Sequence, residues 1–198
     1  MTRAGFYSIN PLKKGVDMNK TYALNNTHEV INNRAVNAFI GASFFILATA
    51  LGAYVRIPVA GTPVPITLQT FFVLLSGAVL GRKLGILSQS IYLAISLPFI
   101  AGPTGGYFAG FAVASYVIGR MLENKNAHLL QVAASFAAGI AVIYTFGVTW
   151  LVYMYKMTIP QAIGAGALPF IAGDLLKIGA ATAIYMKVAK RAGMIFNS

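Results

Sequence analysis

The chain has 198 residues, of which 58% are hydrophobic and only 10% are charged, and its formal net charge is +11. Water-soluble domains carry about a quarter charged residues, so this composition excludes an ordinary soluble fold. The absence of cysteine also excludes disulfide bonds, thiolate metal sites and cysteine nucleophiles.

Five long runs without Asp, Glu, Lys or Arg indicate an all-α membrane protein that crosses the bilayer several times. A membrane-spanning helix needs about 20 apolar residues, and each run reaches or approaches that length. The runs cover residues 35–55, 57–81, 84–119, 126–155 and 157–173.

Glycine and proline interrupt these runs and predict six transmembrane helices. The predicted helices cover residues 35–54, 66–80, 86–97, 107–122, 129–155 and 163–188. Residues 1–34 are polar and lack the apolar stretch of a signal peptide. We therefore expect a polar cytoplasmic extension over 1–34, a six-helix domain over 35–190 and a short cytoplasmic tail over 191–198.

The basic residues predict the orientation. Six helices place twelve of them on one side of the membrane and only Arg56 and Lys156 on the other. Basic loops face the cytoplasm, so both termini are predicted to be cytoplasmic. This distribution of basic residues explains the net charge of +11, so no nucleic-acid partner is expected. The twelve are Arg3, Lys13, Lys14, Lys20, Arg34, Arg82, Lys83, Arg120, Lys125, Lys187, Lys190 and Arg191.

Two outer loops, over residues 56–65 and 98–106, are rich in proline and glycine and nearly uncharged. Irregular backbone at membrane depth is tolerated only against protein or a water-filled cavity. We therefore expect both loops to border a cavity that opens to the outer side.

Small residues in the first predicted helix allow another helix to approach it closely. Ala38 and Ala42 form a small-xxx-small pattern, which occurs where membrane helices pack together. Packing within the bundle explains the pattern as well as contact with another protein does.

Polar residues in the second and third predicted helices are candidates for a binding site. Thr67 and Gln69 begin the second helix, and Gln89 and Tyr92 lie in the third. Thr67 could instead cap the backbone, and Gln69 could instead form hydrogen bonds between helices. Of the polar residues in the third helix, Gln89 is expected to face a cavity.

The start of the fourth predicted helix could bind an anion. Gly105, Gly106 and Tyr107 open it, and the free N–H groups of a helix N-terminus suit a carboxylate. A plain tight turn is the alternative. In the fifth helix, Trp150 could stack on the ring of a ligand or belong to an interfacial aromatic belt.

Asp174 and Lys177 are the two charges of the sixth predicted helix that lie in an apolar segment. A charge at the bilayer centre costs roughly 2.5–3.5 kcal/mol on insertion scales. At a spacing of three residues the pair shares one helix face, about eleven residues and roughly 16 Å from the predicted outer end. We expect a polar binding site here. The alternative is an ion pair that holds two helices together.

Motifs for catalysis are absent from the sequence. It contains no phosphate-binding G-x-x-x-x-G-K-[ST] loop, no H-E-x-x-H motif and only two isolated histidines. We therefore expect no ATP hydrolysis, no metal site, no cofactor and no enzyme activity.

Four motifs in order resemble the BioY family, the biotin-capturing S components of energy-coupling-factor (ECF) transporters. The resemblance extends over about residues 35–190. The motifs are Pro63-Val64-Pro65-Ile66-Thr67-Leu68-Gln69, Gly81-x-x-x-Gly85, Gly102-Pro103-Thr104-Gly105-Gly106-Tyr107-x-x-Gly110-Phe111 and Pro169-Phe170-x-x-Gly173-Asp174-x-x-Lys177.

The resemblance implies a six-helix S-component bundle in the bacterial inner membrane, with biotin bound near the outer face. It also implies a transmembrane T component as partner, contacted through Ala38 and Ala42, and a pair of ATPases that alone use ATP. Biotin would contact Asp174 and Lys177.

The loop between the third and fourth helices is shorter here than in many relatives and lacks the arginine that some of them carry. Lys177, Arg56 and the N-terminus of the fourth helix are the remaining candidates to bind the carboxylate. A stand-alone secondary transporter of biotin or a similar small carboxylate, with Asp174 as a proton carrier, is the alternative function.

Overall fold

A computed structural model describes residues 34–124 and 127–196. The predicted extension over 1–34, apart from Arg34, and Lys125 of the basic loops lie outside the described residues. The elements in chain order are α1 (Arg34–Gly52), β1 (Arg56–Ile57), β2 (Ile66–Thr67), α2 (Gln69–Ile95), a 3₁₀ turn (Leu97–Phe99), α3 (Gly105–Met121), α4 (Leu129–Tyr155), α5 (Ile159–Gly166), a second 3₁₀ turn (Leu168–Phe170) and α6 (Ile171–Phe196).

The described residues include four helical segments that are long and apolar enough to cross a membrane. Large apolar side chains cover the outward face of α1, where Phe39 is 74% exposed and Leu51 is 65% exposed. A soluble protein rarely exposes so much contiguous apolar surface, whereas a lipid-facing helix does. The fold is therefore that of a helical membrane protein.

Helix α2 is a hairpin of two antiparallel arms, not one straight rod. Gly81 has φ 76° and ψ 177°, which breaks the helix and suits glycine because it has no Cβ. Gln69 and Tyr92, 23 positions apart, form a hydrogen bond across the two arms. A Cβ at Gly85 would lie 3.1 Å from the Cα of Gly77. The break that the sequence predicts between its second and third helices therefore lies at Gly81.

The predicted sixth helix, over 163–188, is wrong at its start. The backbone breaks at Ala167 (φ −133°, ψ −57°), between α5 and the second 3₁₀ turn. Pro169 lacks an N–H and its ring blocks a continuous helix, so α6 begins only at Ile171. Asp174 consequently lies in the first turn of α6 and not eleven residues from the outer end.

The first outer loop forms a small hairpin over the bundle. β1 and β2 pair antiparallel, with Arg56 opposite Thr67 and Ile57 opposite Ile66. The loop between them is tied to α5, because the Thr62 hydroxyl donates to the Ala165 carbonyl at 2.6 Å. This hairpin forms part of the wall of the cavities described below.

Candidate ligand-binding site

Asp174 and Lys177 on α6 form the centre of a buried polar cluster. Lys177 Nζ lies 2.7 Å from Asp174 Oδ1, and their side chains are 13% and 4% exposed. Lys177 Nζ also donates to Thr70 Oγ1 at 2.9 Å, and Tyr144 donates to Asp174 Oδ2 at 2.5 Å. The cluster therefore joins α6 to α2 and α4, and both charges are paired away from bulk water.

This cluster lies at a small inner cavity of about 40 Å³. Polar groups from Thr70, Asp174 and Lys177 share its wall with aromatic rings, among them Phe108 and Phe111. A few polar groups within an apolar wall are typical of small-molecule sites.

A larger outer cavity of about 980 Å³ adjoins the inner one. The two cavities share six lining residues and therefore meet along them. We call these residues the shared wall; they are Val64, Pro65, Thr67, Gln69, Thr104 and Phe108.

Gln69 is the polar centre of the shared wall. Its Nε2 donates to Tyr92 OH at 2.5 Å, and its Oε1 accepts from Thr67 Oγ1 at 3.2 Å. Tyr92 lines the outer cavity and stacks on Phe111 with 6.4 Å between ring centroids. The structure thus brings Thr67, Gln69 and Tyr92 together at the boundary between the cavities.

Tyr107 lines the inner cavity and forms a hydrogen bond with the chain at the break between α5 and α6. Its hydroxyl donates to the Gly166 carbonyl at 2.7 Å. The carbonyl of the preceding residue, Ala165, accepts from Thr62. These two hydrogen bonds satisfy carbonyls that the end of α5 leaves without helical partners.

Gly105 and Gly106 support packing and are absent from the residues that line either cavity. A Cβ at Gly105 would lie 1.8 Å from the Ile100 carbonyl oxygen, and one at Gly106 would lie 2.2 Å from the Trp150 Cβ. Trp150 packs here and donates its Nε1–H to the Gly102 carbonyl at 3.0 Å. The expectation that a ligand approaches these glycines, or stacks on Trp150, does not match this placement.

Gln89 also lies away from both cavities, which corrects the expectation that it faces one. It is fully buried, and its Nε2 donates to Thr49 on α1 and to Ser76 on the other arm of α2, at 3.3 and 3.2 Å. Its amide thus joins α1 to the two arms of α2.

Arg56 lines the outer cavity, and its Nε donates to the Ala53 carbonyl at 2.6 Å. On α1, Ala42 is 9% exposed and Ala38 is half-buried. Their role in binding a partner stays a prediction.

Thr70 and Tyr144 are site residues that the sequence did not indicate. Thr70 follows the singled-out Gln69, and Tyr144 lies 30 residues before Asp174 in an apolar run. The available signal was chemical. A buried carboxylate needs several hydrogen-bond donors, and Lys177 alone leaves one oxygen of Asp174 without a partner.

Residues 24–194 of the chain match the BioY family. The chain belongs to the BioY family. The biotin transporter BioY of Thermotoga maritima is 38% identical over 164 residues, which cover 76% of this chain and 95% of that protein. The probable biotin transporter BioY of Pyrococcus horikoshii is 37% identical over 155 residues, 72% of this chain and 88% of that protein. The resemblance of the motifs to BioY is thereby confirmed, and it is a family of transporters and not of enzymes.

The fold of this BioY chain is similar to that in a crystal structure of the S-component for biotin from an ECF-type ABC transporter. The TM-score is 0.74, over 80% of this chain and 94% of that one, at 23% sequence identity. At this identity the similarity shows a shared fold, which confirms the expected S-component architecture in its general form.

Proposed function

We propose that this protein binds biotin from the outer side of the bacterial inner membrane as the S component of an ECF transporter. The observation that carries the proposal is the buried Asp174–Lys177 pair, which lines the inner cavity that adjoins the outer one, in a BioY chain. The ureido group of biotin has two N–H donors and a carbonyl acceptor. Asp174 accepts from the N–H groups, and Lys177 donates to the carbonyl.

Binding requires a movement of side chains. The inner cavity measures only about 40 Å³, whereas biotin carries two fused rings. The shared wall must therefore open, so that the ring edge reaches Asp174 while the aromatic side chains cover the ring faces. The hydrogen bonds of Gln69 to Thr67 and Tyr92 are the polar contacts that this opening has to exchange or rearrange.

The topology that supports this function has six crossings with both termini in the cytoplasm. The two arms of α2, together with α1, α3, α4 and α6, supply the crossings. The basic ends then meet the cytoplasmic membrane surface, as the positive-inside bias requires. A T component and an ATPase pair supply the energy, since the sequence has no phosphate-binding loop.

The direct test is calorimetric titration of the purified full chain with biotin. We expect tight binding with one biotin per chain, and copurification of biotin from cells grown with the vitamin. Thiamine, which lacks a ureido group, serves as the control and should not bind. Absence of biotin binding would overturn the proposal. Uptake into proteoliposomes driven by a pH gradient without any ATPase would favour the stand-alone transporter instead.

A matched pair of glutamine variants tests the site boundary. Gln69 and Gln89 are both buried, but only Gln69 lines the cavities. Gln69→Met should weaken biotin binding about tenfold, because a buried hydrogen bond of this kind contributes about 1 kcal/mol and Tyr92 also loses its donor. Gln89→Met should leave the affinity within about a factor of two, since its partners are helices α1 and α2. Equal losses in titration calorimetry would contradict this boundary.

A further inference from the structure

We infer that Arg56 binds the carboxylate of the ligand in the outer cavity, and thus sets a preference for anionic over uncharged biotin derivatives. The inference rests on the proposed function, because it concerns the far end of the same ligand. It follows from the placement of the three groups that could meet a carboxylate.

Most of the backbone N–H groups at the N-terminus of α3 already form hydrogen bonds within their own turn. The backbone N–H of Gly105 donates to the Gly102 carbonyl, and those of Tyr107 and Phe108 donate to the Thr104 carbonyl. Gly105 and Gly106 are buried, and the Trp150 side chain lies against both. A carboxylate therefore has no access to the N–H groups of these two residues.

Lys177 is committed to the inner end of the site. Its ammonium group is held by Asp174 and Thr70 at 2.7 and 2.9 Å, and it lines the inner cavity and not the outer one. A ligand that places its ring edge on Asp174 directs its side chain away from this position, through the shared wall.

Arg56 lines the outer cavity, into which that side chain would extend. Among the described residues that line the outer cavity, it is the only one that carries a charge. The strand register places Arg56 opposite Thr67, which belongs to the shared wall. Directly opposite residues in an antiparallel pair lie about 4.5–5.5 Å apart at Cα. Arg56 is therefore the strand neighbour of a residue that lines both cavities.

The guanidinium group is oriented for this contact. Its Nε–H donates to the Ala53 carbonyl at 2.6 Å, which fixes one edge and leaves the two terminal nitrogens for an acceptor. Guanidinium groups bind carboxylates through paired N–H donors. The surrounding wall of the cavity is largely apolar, and Tyr54, Val59 and Phe99 contribute to it, so Arg56 offers the carboxylate a charged partner among apolar groups.

The test measures two ligands, biotin and its uncharged primary amide, by titration calorimetry. Each is titrated into the wild-type protein and into the variants Arg56→Gln and Arg56→Lys. The wild-type protein should prefer biotin over the amide by at least tenfold. Arg56→Gln should bind biotin at least tenfold more weakly while its affinity for the amide stays within twofold, which abolishes the preference. Arg56→Lys should recover part of it.

Lys156→Gln is the matched control, because Lys156 is the other base of the predicted outer side and lines neither cavity. It should leave both affinities unchanged. An equal loss for both ligands in Arg56→Gln, or no loss for either, would overturn the inference while leaving biotin binding intact. Failure of the wild-type protein to bind either ligand would instead overturn the proposed function, and this inference with it.

Discussion

Replacement of Lys177 by methionine is expected to abolish measurable biotin binding and to lower the free energy of unfolding by about 3–5 kcal/mol, since removal of one partner leaves a buried charge uncompensated. Asp174 is 4% exposed at its side chain and would keep only Tyr144 and Thr70 as donors. Thermal unfolding and biotin titration of the same preparation measure the two effects.

The double variant Asp174→Asn/Lys177→Met separates binding from stability. Without either charge, most of the lost stability should return, because a buried ion pair can often be replaced by uncharged groups at little cost. Biotin binding should not return, because the ureido group has lost both of its charged partners. A double variant that binds biotin like the wild type would show that the pair only holds α6 against α2 and α4.

Gly106→Ala is expected to destabilise the fold, because the added methyl group has no room between α3 and α4. The added Cβ would lie 2.2 Å from the Trp150 Cβ and 2.5 Å from the Phe146 carbonyl oxygen, both on α4. Helix α3 would have to move away from α4, and overpacking of this kind costs about 1–3 kcal/mol or more. We expect a lower melting temperature and poor recovery of folded protein.

Gly164→Ala is the matched control, because a Cβ at Gly164 in α5 has no atom within 4 Å. Alanine is favoured over glycine in a helix by up to about 1 kcal/mol, so the control should be as stable as the wild type or more stable. If Gly106→Ala folds normally but loses biotin binding alone, the glycine serves the ligand and not the packing.

The sequence predicted the polar centre of the site because charge is conspicuous in an apolar run. Asp174 and Lys177 needed no tertiary information, and neither did the break at Gly81. Their partners were not predictable in this way. Thr70 lies 104 positions before Asp174, and the contact exists only because α2 and α6 pack side by side.

The predicted site residues that line neither cavity have a common physical feature. Gln89, Gly105, Gly106 and Trp150 were singled out for chemistry that suits a ligand, and the structure uses the same chemistry for packing. An amide can join helices as well as bind a solute, and a glycine can admit an indole ring as well as a ligand. Sequence position alone does not distinguish an inward face that meets a helix from one that meets a cavity.

The hairpin at Gly81 affects how the membrane potential acts on a charged ligand. Its two arms, over residues 69–80 and 82–95, span only roughly 18 and 21 Å at 1.5 Å per residue, whereas the hydrocarbon core is about 30 Å thick. In the proposed topology, with Gly81 at the cytoplasmic side, the aqueous boundary on the outer side is therefore indented toward the middle of the bilayer. Moving one elementary charge across the full membrane potential changes its energy by about 2.3 kcal/mol per 100 mV. Because the field is then concentrated between the indentation and the cytoplasm, most of that work remains to be done after an anionic ligand has entered the site.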